Sequence, residues 1–162
     1  MLNAKELIDL QIITGDISQE NIQQHGIDLN VIEIESLEGV GFLPYVGKTS
    51  LPKYNKVEKV NNIWLLQPGV YNITFSQGCN IPNDKMVLIR QRSSLARCGG
   101  LIHSSVFDAG FQTSQIGTMM TILYPVRIEH NARIAQIYAH DCIAIDNLYD
   151  GQYQGDKQRT SY

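Results

Sequence analysis

The sequence predicts an all-β domain, a distorted jelly roll or β-barrel with one short helix at its N-terminus. Two observations carry this. Apolar and polar residues alternate with a period of two in several short runs. Turn signals rich in Gly, Pro, Asn and Asp separate those runs at regular spacing, as in barrels and jelly rolls. The chain has 162 residues and is 43% hydrophobic, which suits one globular domain with a core of its own.

Residues 4–10 read as a short helix, with Leu7, Ile8 and Leu10 set between polar residues. Residues 17–24 read as one more helical turn or a loop. From Ile27 to Ile34 the period becomes two, which predicts a half-buried strand. Residues 39–59, with Pro44, Gly47 and Pro52, read as a long loop or hairpin insertion. Strands are predicted at 63–66, 70–75 and 86–90, with turns at Gln67-Pro68-Gly69 and at 80–84. A helical turn is predicted at 94–97, ended by Gly99-Gly100. Further strands follow at 101–103, 116–123, 126–129 and 133–140. Residues 1–148 are expected to form the β domain. Residues 149–162, rich in Gly, Gln and charge, are expected to form a flexible C-terminal arm closing over the active site.

The composition excludes several classes. A net charge of -3 argues against a general nucleic-acid surface. No stretch approaches the roughly 20 apolar residues of a membrane span, and MLNAKELIDL has no signal-peptide pattern. The expected location is cytoplasmic, with Cys79, Cys98 and Cys142 as reduced thiols. His25, His103, His130 and His140 lack metal-ligand spacing, and the HxE and PCxxC signatures of zinc deaminases are missing.

Four segments could carry chemistry. In Arg92-Ser93-Ser94-Leu95-Ala96-Arg97, two guanidinium groups flank two hydroxyls at a strand-to-helix transition. Such groups bind phosphate, although a capping serine beside solvated arginines has the same spelling. Phe107-Asp108-Ala109-Gly110-Phe111 puts a carboxylate in a tight turn between aromatic rings, either as an ordinary hairpin turn or as a base beside a sugar. Arg133 and Gln136 cannot share a strand face without a bulge. Tyr149 to Gly155 makes a strip able to close over a base or a phosphate chain.

Together these segments resemble the dCTP deaminase and dUTPase superfamily, in particular its dCTP deaminase-like branch with dUTPase members. RSSLAR (92–97) is the family's phosphate motif as spelled. Gln24-His25-Gly26-Ile27-Asp28-Leu29 is similar to its early motif, and Phe107 to Phe111 to its (I/V)DAGF segment. Leu66-Gln67-Pro68-Gly69 and Ile81-Pro82-Asn83-Asp84 are similar to its LxPG and LPxD turns. Arg133 to Gln136 is similar to its RIAQ strand, and Tyr149 to Gly155 to its YxGKYQG arm. The matches run in family order over most of the chain.

The resemblance implies a dUTPase-like fold and a homotrimer that binds a pyrimidine deoxynucleoside triphosphate between subunits. It implies Mg²⁺ chelated mainly by the triphosphate, with Asp28 assisting through water. Arg92, Ser93, Ser94 and Arg97 would hold phosphates, and Asp108 would bind the 3′-hydroxyl or orient the attacking water. Backbone groups at 102–106, with His103 beside them, would read the pyrimidine. Phe111 would lie against the sugar, and Gln136, Tyr153 and Gln154 would complete the pocket. Catalysis would rest on Asp108, Arg97 and Ser93.

The sequence departs from the deaminase pattern at one decisive place. The acid of the strand after DAGF falls on Thr118, and the segment 115–121 holds no acid at all. Proton shuttling needs a group that titrates near working pH, which threonine does not. The expected reaction is therefore dUTP to dUMP and pyrophosphate. The alternatives are dCTP deamination with a carboxylate from elsewhere, such as Glu129, and a non-catalytic nucleotide-binding or regulatory protein. Gln152 replaces the arm lysine, with Lys157 or Arg159 as nearby substitutes, and the 39–59 segment matches no family motif.

Overall fold

The computed structural model describes residues 1–155. The end of the expected arm, with Lys157 and Arg159, lies outside the described residues. Helix α1 (Ala4–Asp9) starts at a capping box between Asn3 and Glu6. It buries Leu7 fully, and Leu2 donates its N–H to the Ala139 carbonyl at 3.0 Å. The helix thus closes one end of the core.

The strands are β1 (Ile13–Thr14), β2 (Ile22–Gln23), β3 (Gly26–Glu38), β4 (Lys53–Lys56), β5 (Ile63–Leu66), β6 (Gly69–Phe75) and β7 (Gly78–Asn80). After β8 (Lys85–Gln91) comes the five-residue helix α2 (Ser93–Arg97). Then follow β9 (Gly100–His103), β10 (Gln112–Thr113), β11 (Gly117–Ile122), β12 (Val126–Glu129) and β13 (Arg133–Asp141). The main sheet runs β8-β13-β3-β6-β11-β9, with β2 and β4 also paired to β3. Its two ends, β8 and β9, lie against each other, so the sheet is nearly closed.

Inward residues of alternating strands fill the interior: Ile27, Leu29 and Ile34 of β3, Ile73 and Phe75 of β6, Met120 of β11 and Ile137 of β13. The ribbon β5–β12 adds Trp64, Leu66 and Ile128, and the Trp64 indole N–H donates to the Val57 carbonyl at 3.0 Å.

Pairing of β13 with β3 slips between Arg133 and Ala135, and such a bulge is what lets residues at the spacing of Arg133 and Gln136 share a strand face. A second irregularity lies in β3 between Val31 and Glu33. Beyond it Ile34 points into the core, and Glu33 and Glu35 point the other way.

Three differences from the sequence reading stand out. A small sheet of β1, β7 and β10 was not expected, because two or three residues cannot display a period. Strand β3 runs four residues past Ile34. It does so because the 39–59 segment folds back as a hairpin insertion, bridged at Phe42 and Ser50, whose β4 pairs with Glu35 to Glu38. After β13 no strand follows among the described residues, but the segment is docked: Cys142 N–H bonds Asp84 O at 2.8 Å, and Tyr149 N–H bonds Ala109 O at 2.9 Å.

Cys79, Cys98 and Cys142 are free, and burial pushes the Cys79 thiol up to about 12. Among the described residues no helix is long and apolar enough to cross a membrane.

Candidate functional site

A cavity of about 660 Å³ opens on the outer face of β3, β6, β11 and β9. That volume is in the ordinary range for small-molecule sites. Four of the residues singled out from sequence line it: His103, Asp108, Phe111 and Tyr153.

Asp108 sits at the rim in the turn after β9, and its carbonyl accepts the Phe111 N–H at 3.1 Å. Gly110 has φ +88°, a left-handed conformation that a side chain would strain. Phe111 packs between Phe107 (ring centroids 5.4 Å) and Tyr149 (5.5 Å, edge-on), so the turn is held by aromatic rings on both sides.

Residues 149–155 are strapped to that turn. The Gln154 amide donates to Gly110 O at 2.8 Å and accepts the Gln112 N–H at 3.1 Å, and Gly155 N–H bonds Gln112 O at 2.8 Å. Gln154 therefore fastens the strip, and Tyr149, Tyr153 and Gly155 face the cavity. Gln152, in the place of the family lysine, donates to Thr49 O of the insertion at 3.3 Å.

Thr118 also lines the cavity, with its hydroxyl spent on the His103 carbonyl at 2.5 Å. The His103 ring shares a 2.7 Å hydrogen bond with Thr121 Oγ1. Ser104, Ser105 and Val106 continue the wall, and the Ser104 hydroxyl accepts the Ile89 N–H at 3.0 Å.

The RSSLAR segment lies elsewhere. None of Arg92, Ser93, Ser94 and Arg97 lines the cavity. Ser93, Ser94 and Arg97 are exposed on α2, while Leu95 anchors the helix in the core. Arg92 is half-buried: its Nε is 3.1 Å from Asp28 Oδ2, and its NH1 donates to the Arg133 carbonyl at 3.0 Å. Asp28 is 1% exposed, and Arg133 NH1 lies 3.6 Å from the same oxygen. Neither guanidinium N–H points squarely at Oδ2, so the contact is an ion pair without an aligned hydrogen bond. Burial raises the Asp28 pKa above its usual value, and the two arginines pull it back down. Gln136 pairs with Asp28 across β13 and β3, and its side chain covers Gly26.

Glu129, the acid considered for deamination, sits on β12 opposite Ile63 and is not among the cavity-lining residues. Sequence reasoning missed instead Glu33, Glu35, Lys56, Asn72 and Thr74, all of which line the cavity. The one available signal was Glu33-Ile34-Glu35, whose alternation places both acids on one strand face.

A Mg²⁺ ion caged by the protein alone does not fit: no group of three or more His, Cys, Asp or Glu among the described residues could hold a metal. Asp28 faces two cations in a buried setting, which does not suit it to a hydrated ion either.

Fold and motifs together define a protein of the dCTP deaminase and dUTPase type, and the comparisons bear this out. The family model for dCTP deaminase-like proteins matches residues 3–142, and the chain belongs to that family. It is 34% identical to a probable deoxyuridine 5′-triphosphate nucleotidohydrolase of Aeropyrum pernix, covering 96% of this chain and 98% of that protein. It is 35% identical to the deoxyuridine 5′-triphosphate nucleotidohydrolase of Methanocaldococcus jannaschii, covering 86% and 91%. Among solved structures it is similar to the 2′-deoxycytidine 5′-triphosphate deaminase of Agrobacterium tumefaciens, with a TM-score of 0.63 at 16% identity. That match covers 83% of this chain and 45% of that one, and it shows the fold.

Proposed function

We propose that this protein hydrolyses dUTP to dUMP and pyrophosphate. The observation that carries the reading is the contrast between Asp108 and Thr118. A carboxylate stands exposed on the cavity rim, and the strand position of a deaminating acid holds a hydroxyl already bonded to a carbonyl. Orienting a water for attack on the α-phosphorus needs the first group; replacing a ring amine by water needs an acid where Thr118 stands, and a hydroxyl cannot take that role. The relatives named as dUTP nucleotidohydrolases support the same choice.

Within this reading the nucleoside enters the cavity with its sugar against Phe111 and Asp108. The pyrimidine edge meets the backbone of 103–106. Tyr149 and Tyr153 cover it and exclude water. Asp108 takes the proton of the attacking water, or holds the 3′-hydroxyl so that the phosphates point outward.

The phosphate-binding groups Arg92, Ser93, Ser94 and Arg97 lie away from this cavity, so one chain alone does not complete the site. A homotrimer, in which α2 of one subunit faces the cavity of the next, would complete it. Arg97 and the two serines then supply charge-assisted and neutral hydrogen bonds to the triphosphate. Mg²⁺ would arrive chelated by the triphosphate and neutralise its charge, and no protein cage is required for that. A cytoplasmic enzyme guarding the deoxynucleotide pool agrees with this chemistry.

The test is incubation of purified protein with Mg²⁺ and, separately, dUTP and dCTP, with products resolved by chromatography. The expected outcome is dUMP and pyrophosphate from dUTP, lost in Asp108→Asn. Ammonia release from dCTP by the wild-type protein would overturn the reading.

A further inference from the structure

The cavity has two unlike ends. One is the aromatic turn and arm around Asp108. The other is built by β3 and the insertion strand β4, with Glu33, Glu35, Tyr54 and Lys56. A single cross-strand row joins them. His103 pairs with Met119, Met119 with Asn72, Asn72 with Glu35, and Glu35 with Lys56. All five line the cavity. At about 4.8 Å per strand the row spans about 19 Å. A pyrimidine ring beside His103 and Met119 covers about two strand spacings, which leaves the β6–β3–β4 stretch unused.

That stretch does not suit phosphates. Lys56 is already paired with Glu33 at 2.5 Å, and Glu35 adds a further negative charge. It suits donors. The Asn72 amide donates to Glu35 Oε2 at 2.8 Å and so fixes the carboxylate in place. Thr74, one residue pair along on the same face, is 4% exposed and lines the cavity, which sets a further polar side chain beside Glu33 and Glu35.

We propose that this end is a specificity subsite for a pyrimidine enlarged by a polar, hydrogen-bond-donating substituent. Glu35, fixed by Asn72, is the reading group, and the insertion strand supplies the outer wall. Ring carbon 5 is where such a substituent leaves both the base-pairing edge and the sugar bond untouched. The proposal rests on the reading that the cavity takes the nucleoside of a deoxynucleoside triphosphate.

The experiment compares two dUTP analogues substituted at ring carbon 5: one with an aminoallyl group, one with a propynyl group of the same carbon count and no donor. Pyrophosphate release is measured for each, with dUTP as the control for the hydrolase reading. The expected result is a kcat/KM at least tenfold higher for the aminoallyl analogue than for the propynyl one, with the ratio falling below threefold in Glu35→Gln. A variant that merely perturbed the fold would lower both rates and leave the ratio intact. Equal rates in the wild type, or an unchanged ratio in Glu35→Gln, would overturn the subsite. If the wild type does not turn over dUTP, the hydrolase reading fails separately. The same tenfold preference is then sought in Kd by calorimetry, where its absence sinks the subsite and its presence sustains it.

Discussion

The Asp28 carboxylate lies 3.1 Å from the Arg92 guanidinium, and this buried contact ties β3 to the residue that precedes helix α2. Arg133 approaches the same oxygen at 3.6 Å. The desolvation cost of the carboxylate outweighs the attraction of both arginines, which is why its pKa stands above the usual 3.8. The folded chain then holds the Asp28 proton more tightly than the unfolded chain. Between 3.8 and the raised folded value, stability falls as pH rises. Asp28→Asn removes that dependence. The Tm difference, wild type minus Asp28→Asn, is expected to be larger near pH 4 than near pH 7. Calorimetric scans of both proteins check it, and a difference that grows with pH would contradict it.

Gly110 decides whether the arm can dock. A Cβ built there meets Leu148 Cβ at 2.7 Å and the Tyr149 backbone N at 3.0 Å, at a φ of +88°. Gly110→Ala is therefore strained twice, by about 1–2 kcal/mol for the backbone alone. The relief available is to release residues 148–155, held by Tyr149 N–H on Ala109 O and by the Gln154 strap. The expected outcome is at least a tenfold loss in kcat/KM for dUTP and faster proteolysis within 148–155. Limited proteolysis with mass spectrometry reads the second effect independently of activity.

Most of the barrel was legible in the sequence because its long strands alternate and its turns are spelled with Gly, Pro and Asn. The segments 27–34, 86–90 and 133–140 each fall inside an observed strand. Strands β1, β7 and β10 were not legible, since a pairing such as Ile13 with Cys79 exists only once the barrel has folded. Strand β4 was hidden because Lys53-Tyr54-Asn55-Lys56 has no buried face to announce it. The site divided in the same way. Asp108 and Phe111, which line the cavity, stand in one contiguous motif, and Arg97 stands in another that lies outside it. Asn72, Thr74, Glu35 and Lys56 come from three strands that only register brings together. Apart from the Glu33-Ile34-Glu35 alternation, no local spelling flags them.

Ile73 tests the core from its centre. It is fully buried on β6, paired with Ile34 on one side and Thr118 on the other. Ile73→Ala removes three buried carbons and leaves a cavity that strands on both flanks prevent from collapsing. The expected cost is about 3–4 kcal/mol, within the range for such truncations. Urea unfolding checks it, and a shift under about 1 kcal/mol would mean that the barrel relaxes around the gap.

Arg92 and Arg97 carry the same charge in the same motif, yet their environments predict different losses. Arg97 is exposed on α2, and its side chain makes no ion pair among the described residues. Arg97→Ala should leave Tm within about 1 °C, as surface substitutions do, and lower kcat/KM through lost phosphate contact. Arg92 is about one-third exposed and faces a carboxylate that is 1% exposed. Arg92→Ala strands Asp28 with only the more distant Arg133 and breaks the bond to the Arg133 carbonyl. Breaking a fully buried pair costs about 3–5 kcal/mol. Solvent at Arg92 and the remaining cation reduce this to about 2 kcal/mol. The double variant Asp28→Asn, Arg92→Ala should recover part of that loss, because no buried charge is then left unpaired. Denaturant titrations of the two single variants and the double variant measure the coupling directly. Full additivity would show that Asp28 and Arg92 are neighbours without being partners.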